Sequence, residues 1–429
     1  MNISNRGGDS VASRLKRWHL LPLHICYDLI QHSQSARTDE DDILILLQHL
    51  ERIYFLALRA PLSTWESIAA AASDPPISCT SVECIYLDTW NRATGFVLPS
   101  TFLAGHSPRL RQLTMIGVFP LSLPLLLLSP IHLTTFVLDG IPDSSYLPPE
   151  ALIAYLALMP QLQYLNVGFL SSVPHPHSRG RVPVPVLEPL YRVVLSDLIF
   201  FYFRGVCAYI EALVTRLDTP HVREINLILF HQLQYSMPRL SAFLRRTKRY
   251  GFDGIRINFD PRWANVSAVP AFTPSTGEKL FIRLPCNRLD FQVASVAQVF
   301  GALRPNFVNM EDLFIRYNQS QLPAEWHGQV EPALWSELLA QFLGMKTLWL
   351  SSALVSEVTQ AIRSGARQLL EEMPIFAWIV VEVQEDDAST AAVQSLSDLL
   401  IEIRHSGGPV IEVYRLFPNM WNQRTLPLG

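Results

Sequence analysis

The chain has 429 residues, enough for two or three ordinary domains or for one repeat array that grows along a single axis. Half of it is apolar (49%) and only 17% is charged, which excludes a disordered chain. The charge balance of 34 basic against 38 acidic residues, net −4, gives no basis for a general nucleic-acid or membrane-surface role.

Taken in order, residues 1–13 are polar and are expected to be a disordered N-terminal segment. Residues 14–30 faintly resemble a secretory leader. However, His19, His24 and Asp28 interrupt the apolar part and no small-residue cleavage site follows. The run 20–27 reads as a first strand or cap. Thr38 is expected to cap a helix whose first turn carries Asp39, Glu40, Asp41 and Asp42, where carboxylates meet the helix dipole favourably. No glycine turn or distal glutamate completes a calcium loop there.

From residue 50 onward one apolar spacing returns, at offsets of zero, three and five. It reads Leu50/Ile53/Phe55, Val82/Ile85/Leu87, Leu110/Leu113/Met115, Leu133/Phe136/Leu138, Leu162/Leu165/Val167 and Leu198/Phe201/Phe203. It continues as Val222/Ile225/Leu227, Phe252/Ile255/Ile257, Met310/Leu313/Ile315 and Met345/Leu348/Leu350. The segments between are expected to be helical or irregular, as at 63–72, 149–158, 206–217, 237–246 and 335–343. Pro148 and Pro149 suit a helix start. Residues 112–138 carry no Asp, Glu, Lys or Arg and are long enough to cross a bilayer. Pro120, Pro124, Pro130 and the strand spacings at both ends instead predict strand, turn, strand. Loops are expected at 171–185, which holds His175 and His177, at 264–277 and at 318–332. Residues 280–284 alternate as a strand but lack a leading leucine. Strands at 374–383 and 410–414, with a helix at 388–404 between them, end the pattern, and 417–429 form a tail.

The spacing has a physical reason. The last two apolar residues of each unit alternate along a short strand and so point to one side, while the first turns inward just ahead of it. One unit cannot bury that side alone and must stack on its neighbours. LxxLxL at intervals of ~20–30 residues is the leucine-rich-repeat strand signature. The fold expected over residues 14–416 is therefore a single α/β leucine-rich-repeat solenoid, a horseshoe with a parallel, strand-lined concave face and a helical or irregular convex side.

Catalytic signatures are missing: there is no GxSxG elbow, phosphate loop, HExxH or GxGxxG after a strand. The cysteines (Cys26, Cys79, Cys84, Cys207 and Cys286) are scattered without zinc spacing and are expected to be reduced thiols. The basic cluster 245–249 reads as a helix end rather than an import signal. No enzyme activity, cofactor or metal is expected, although a loop-built site remains the remote alternative.

Several strings resemble one family. They include FLAGHSPRLRQL (102–113), PPEALIAYLALMPQLQYL (148–165), YIEALVTRLDTP (209–220), PRLSAFLRRT (238–247), RLDFQVASVAQV (288–299) and WSELLAQFLGMKTLWLSSAL (335–354). These look like the F-box-domain-containing, leucine-rich-repeat-like proteins of mushroom-forming basidiomycete fungi, over about residues 12–416. The resemblance implies the target-binding part of a Skp/cullin ubiquitin ligase receptor. It places the F-box ahead of the part corresponding to residues 14–27, where only residues 1–13 stand, so the F-box is expected to be missing. A Skp-type adaptor is then a partner only if an F-box lies upstream. The alternative is a free-standing scaffold or inhibitor. An intracellular location, cytoplasmic or nuclear, is expected, with a protein target and neither nucleic acid nor membrane as partner.

Residues alternating with the buried ones should face the open side of the sheet. Tyr, Trp and Arg most often dominate protein interfaces, which singles out Tyr86, Tyr164, Tyr202, Arg204, Arg256, Arg316 and Trp349 as candidate anchors. The competing reading is that neighbouring strands stack these side chains on one another merely to stabilise the sheet.

Overall fold

The computed structural model describes residues 2–3, 11–17, 21–29, 36–71, 80–89, 95–99, 102, 107–120, 126–127, 131–170, 192–230, 232, 234–247, 254–269, 279–307, 310–318, 323, 326, 330–366, 373, 375–382 and 387–416. The chain divides into two compact units, Met1–Val222 and Arg223–Gly429. Each is mixed α/β and is built on a mostly parallel sheet, and neither sheet closes into a barrel.

In the first unit the strands are β1 (Asn2–Ile3), β2 (Leu23–Asp28), β3 (Ile53–Arg59), β4 (Cys84–Asp88), β5 (Phe96–Leu98), β6 (Gln112–Ile116), β7 (Val118–Pro120), β8 (Thr135–Ile141), β9 (Tyr164–Phe169), β10 (Val193–Val194), β11 (Phe200–Gly205) and β12 (Leu217–Asp218). The main sheet runs β1-β2-β3-β4-β6-β8-β9-β11, parallel throughout, while β5-β7 and β10-β12 form two small parallel pairs. Helices Val11–Arg17, Ala36–Leu47, Leu62–Ala71, Pro149–Leu156 and Cys207–Thr215 lie between strands in the sequence.

The register explains the apolar spacing. Ile25, Leu56, Ile85, Leu113, Phe136, Leu165 and Phe201 are successive ladder partners and form one column, each at most 1% exposed. The leading residues Val82, Leu110, Leu133, Leu162 and Leu198 are fully buried ahead of their strands. The ladder itself begins one residue before each strand. Glu83, Arg111, Thr134, Gln163 and Ile199 each donate their N–H to the preceding unit's carbonyl, at 2.8–2.9 Å, so the leading leucine is anchored by backbone as well as by packing. Gly117, at φ 69°, takes the left-handed conformation that redirects the chain from β6 into β7. Residues 112–138 thus include β6, β7 and the start of β8, and no helix among the described residues is long and apolar enough to cross a membrane.

Two local expectations are corrected here. Two overlapping frames share the same offsets around residue 53, and pairing selects the later one. Leu56 and Leu58 pair with Ile85 and Leu87, so the buried triad is Ile53/Leu56/Leu58, while Leu50 belongs to a short 3-10 turn and Phe55 is half-buried on the other face. Thr38 lies inside the helix Ala36–Leu47 rather than at its cap. The N-terminal residues Asn2–Ile3 pair with His24–Ile25, and a helix already begins at Val11.

The second unit contains β13 (Glu224–Leu229), β14 (Gly254–Asp260), β15 (Trp263–Val269), β16 (Lys279–Pro285), β17 (Asp312–Tyr317), β18 (Thr347–Ser351), β19 (Trp378–Glu382) and β20 (Glu412–Leu416). Helices Pro238–Arg246, Leu289–Leu303, Pro332–Leu339, Ser352–Ala361 and Asp387–His405 alternate with the strands along the chain. Two of them, Pro238–Arg246 and Pro332–Leu339, start on the proline their sequence supplies. The last strand begins at Glu412, two residues later than the alternation at 410–414 implies.

The expectation of a wholly parallel face fails in this unit. The strand order is β13-β16-β15-β14-β17-β18-β19-β20, and β15 pairs antiparallel with both β14 and β16. Residues 264–269, expected in a loop, belong to β15, and 270–277 lie outside the described residues. The cause is the turn Asp260-Pro261-Arg262. Pro261 has no N–H to extend the ladder, and Asp260 Oδ1 accepts the Arg262 N–H at 3.2 Å, closing a tight turn that only an antiparallel return can follow. Ala264, Val266 and Ala268 are at most 2% exposed, so β15 joins the same core as Ile255, Ile257, Leu280 and Ile282.

Candidate functional site

On the side of each sheet opposite its buried columns, the alternating residues form rows in ladder register. In the first unit one row runs His24, Phe55, Cys84, Gln112, Thr135, Tyr164, Phe200. The next runs Cys26, Ala57, Tyr86, Thr114, Val137, Asn166, Tyr202, and the one nearest the strand ends runs Asp28, Arg59, Asp88, Ile116, Asp139, Gly168, Arg204. Strand spacing of ~4.8 Å lets planar rings in one row stack like pages. His24 lies flat on Phe55, at 4.1 Å between centroids and 2° between planes, and Tyr164 lies on Phe200 at 4.4 Å and 7°.

The third row is an ionic one. Arg59 bridges Asp28 (3.6 Å) and Asp88 (3.4 Å) on the strands to either side, and Tyr86 donates its hydroxyl to Asp88 Oδ2 at 3.1 Å. Arg204 reaches Asp139, 3.8 Å away, across the intervening strand β9, and its Nε donates to the Phe169 carbonyl at 3.0 Å. The reach is possible because β9 carries Gly168 at that point: a Cβ there would collide with Asp139 Oδ1. Cys84 sits in the first row, where its thiol donates to Gln112 Oε1 at 3.5 Å and burial pushes its pKa to about 11. It is thus a protonated hydrogen-bond donor at neutral pH rather than a nucleophile.

The second unit repeats the device. Its middle row is Asn226, Phe281, Ser267, Arg256, Phe314, Trp349, Val380, Tyr414. Phe314 and Trp349 stack at 5.1 Å and 18°, the Arg256 guanidinium lies 5.4 Å from the Phe314 centroid, and Trp349 Nε1 donates to Asp312 Oδ1 at 3.4 Å. Arg316 donates to both oxygens of Glu382, at 3.0 and 2.8 Å, again across an intervening strand whose residue is small, here Ser351 on β18. Ser351 also accepts the Tyr317 N–H at 3.0 Å, which fixes the strand ends.

The candidate anchors therefore fall into two sets, Tyr86, Tyr164, Tyr202 and Arg204 in the first unit and Arg256, Arg316 and Trp349 in the second. All but Arg256, which is exposed, are half-buried. Tyr86, Tyr164, Arg204, Arg256, Arg316 and Trp349 are each held by a printed neighbour on the same face, by hydrogen bond, ion pair or ring stacking. Other alternating residues are largely covered: Asp88, Asp139, Val137, Phe314 and Thr347 are each under 9% exposed. Arg283 and Trp263 belong to this surface but were not anticipated. Arg283 lies between buried Ile282 and Leu284, so the alternation at 280–284 already marks its side; only the absence of a leading leucine concealed it.

Among the described residues no group of three or more His, Cys, Asp or Glu side chains could hold a metal ion, and His175 and His177 lie outside them. A shallow open depression of about 400 Å3 in the second unit is lined by Tyr235, Met237, Pro238, Gln298, Gly301 and Ala302, with no convergent set of ionisable groups. In comparisons with known proteins, no family model matches the chain and no curated protein matches it.

Proposed function

We propose that this chain is a non-enzymatic protein-recognition module of the leucine-rich-repeat solenoid type, which grips a polypeptide target with the strand face opposite its buried columns. The observation that carries this reading is the set of pre-held Tyr, Trp and Arg side chains in register on that face. Side chains already fixed by neighbours lose little rotamer freedom on binding, which is what makes such residues effective anchors. The repeated LxxLxL spacing supports the solenoid assignment, with β14–β16 as an antiparallel excursion within it.

Within this reading the chain is the target-binding part of an F-box-type ubiquitin ligase receptor, supported by the sequence resemblance alone. Two measurements test the two levels separately. In affinity purification of the full chain, one or more specific proteins should be retained by wild type and lost with Tyr164→Ala or Trp349→Ala, while Arg304→Ala, exposed and off this face, retains them. Loss in none of the face variants would discard the recognition face. Recovery of a Skp-type adaptor would support ligase membership, and its consistent absence beside a recovered target would favour a free-standing scaffold.

A further inference from the structure

The antiparallel excursion places two arginines on the second unit's strand face in an unusual way. Arg256 on β14 and Arg283 on β16 are both exposed, and each guanidinium lies over an aromatic ring, Arg256 over Phe314 at 5.4 Å and Arg283 over Trp263 at 4.6 Å. Arg283 Nε also donates to Asn265 Oδ1 at 2.7 Å. A guanidinium stacked flat is pre-oriented, with the planar fork that carboxylates accept bidentately.

The carboxylates of the same face are engaged elsewhere. Asp260 Oδ1 accepts the Arg262 N–H, Asp312 Oδ1 accepts Trp349 Nε1–H, Glu382 takes Arg316 with both oxygens, and Glu224 Oε1 accepts Asn226 Nδ2–H at 2.8 Å. The register puts Arg256 opposite Ser267 and Arg283 opposite Asn265, so the two arginines are separated by one strand and one pleat, about 10 Å. Acidic residues two to four positions apart on an extended chain span that distance at ~3.3 Å per residue.

We infer that the second unit's face takes an acidic polypeptide segment, its carboxylates on Arg256 and Arg283 and its apolar side chains beside Phe314 and Trp349. This rests on the recognition reading above and names the chemistry of the partner. A carboxylate is favoured over a bulk anionic surface because the chain is acidic overall, net −4, and the cationic feature is confined to two fixed forks.

The test uses the full chain and defined probes. Poly-L-glutamate should bind with an affinity that falls as salt rises, and poly-L-lysine should not bind. Arg256→Ala and Arg283→Ala should each weaken poly-L-glutamate about 5- to 10-fold, and Arg304→Ala should not. The lysine variants Arg256→Lys and Arg283→Lys, which keep the charge but lose the fork, should fall between, and circular dichroism of each variant checks the fold. Equal affinity in the double alanine variant overturns the inference, as does a single-stranded oligonucleotide that binds more tightly than poly-L-glutamate through the same two arginines. Selection of random displayed peptides on the chain separates this inference from the broader reading. Enriched acidic peptides sensitive to Arg256→Ala support both. Enriched neutral or basic peptides lost with Trp349→Ala overturn the acidic inference and leave recognition standing. Failure to enrich any peptide sensitive to a face substitution overturns both.

Discussion

At the scale of single residues, the face depends on one absent side chain. Gly168 stands between Asp139 and Arg204, and a methyl group there would meet Asp139 Oδ1 and sit 3.5 Å from Arg204 Cβ. Gly168→Ala should therefore cost about 1–3 kcal/mol in urea unfolding by overpacking a tight site and displacing the carboxylate from its ion pair. Asp139→Ala removes both the obstacle and the pair, so the two substitutions should couple by at least ~0.5 kcal/mol; strictly additive costs would refute the steric account. A second residue-scale prediction concerns alkali. Tyr209 is 4% exposed, donates its hydroxyl to the Leu147 carbonyl at 2.8 Å, and has a pKa raised well above 10, first by burial and then by Tyr146 and Glu150 nearby. The folded chain thus keeps a proton that the unfolded chain releases above pH 10. The stabilisation is complete below that pH and is lost as pH rises toward the folded value. Tyr209→Phe should cost about 1 kcal/mol at pH 7 through the lost hydrogen bond, yet lose less stability than wild type between pH 9 and 11. A parallel decline of both proteins over that range would show that Tyr209 stays neutral in neither state or in both.

Secondary-structure elements were legible in proportion to how far their signals were local. The helices at 149–156, 207–215, 238–246 and 387–405 fall where proline starts and apolar segments between strands place them. The leading leucine plus alternation located β4, β6, β8, β9, β11, β13, β17 and β18, because burial of all three positions is a property of the unit itself. What failed needed knowledge of the neighbour. The frame at β3 was ambiguous between two triads until β4 paired with it. β15 was hidden because WANVSAV has small residues on its core side, Ala264 and Ala268, which carry little hydrophobic signal although they are fully buried. The pairs Arg204–Asp139 and Arg316–Glu382 were invisible for the same reason, since each spans a strand and 65 or more positions of sequence. One element-scale outcome follows. Backbone amides of residues 264–268 should exchange with deuterium as slowly as those of Ile255 and Ile257, because β15 is hydrogen-bonded on both sides. Rapid exchange across β15 beside a protected β14 would return that segment to the loop its composition suggests.

For the whole molecule, the decisive contrast is between a substitution in a buried column and one on the strand face. Leu113 is fully buried and is the ladder partner of Ile85 on one side and Phe136 on the other. A carboxylate there has no partner in that column, and its neighbours are aliphatic and aromatic. Leu113→Asp should thus cost several kcal/mol, a large share of the ~5–15 kcal/mol that holds a domain folded. In a stacked array the damage spreads, because each unit's apolar side is covered only by the units beside it. The expected result is loss of near-ultraviolet circular dichroism and of a cooperative urea transition at 25 °C. Trp349 sits on the opposite side of its sheet, half-buried, with its ring on Phe314 and its Nε1–H on Asp312. Trp349→Ala removes a stack worth ~0.5–1.5 kcal/mol and one hydrogen bond but opens no buried column, so about 1–3 kcal/mol and an intact cooperative transition are expected. If Trp349→Ala unfolded the chain as completely as Leu113→Asp, the strand face would be a second core, and no surface would remain there to hold a partner.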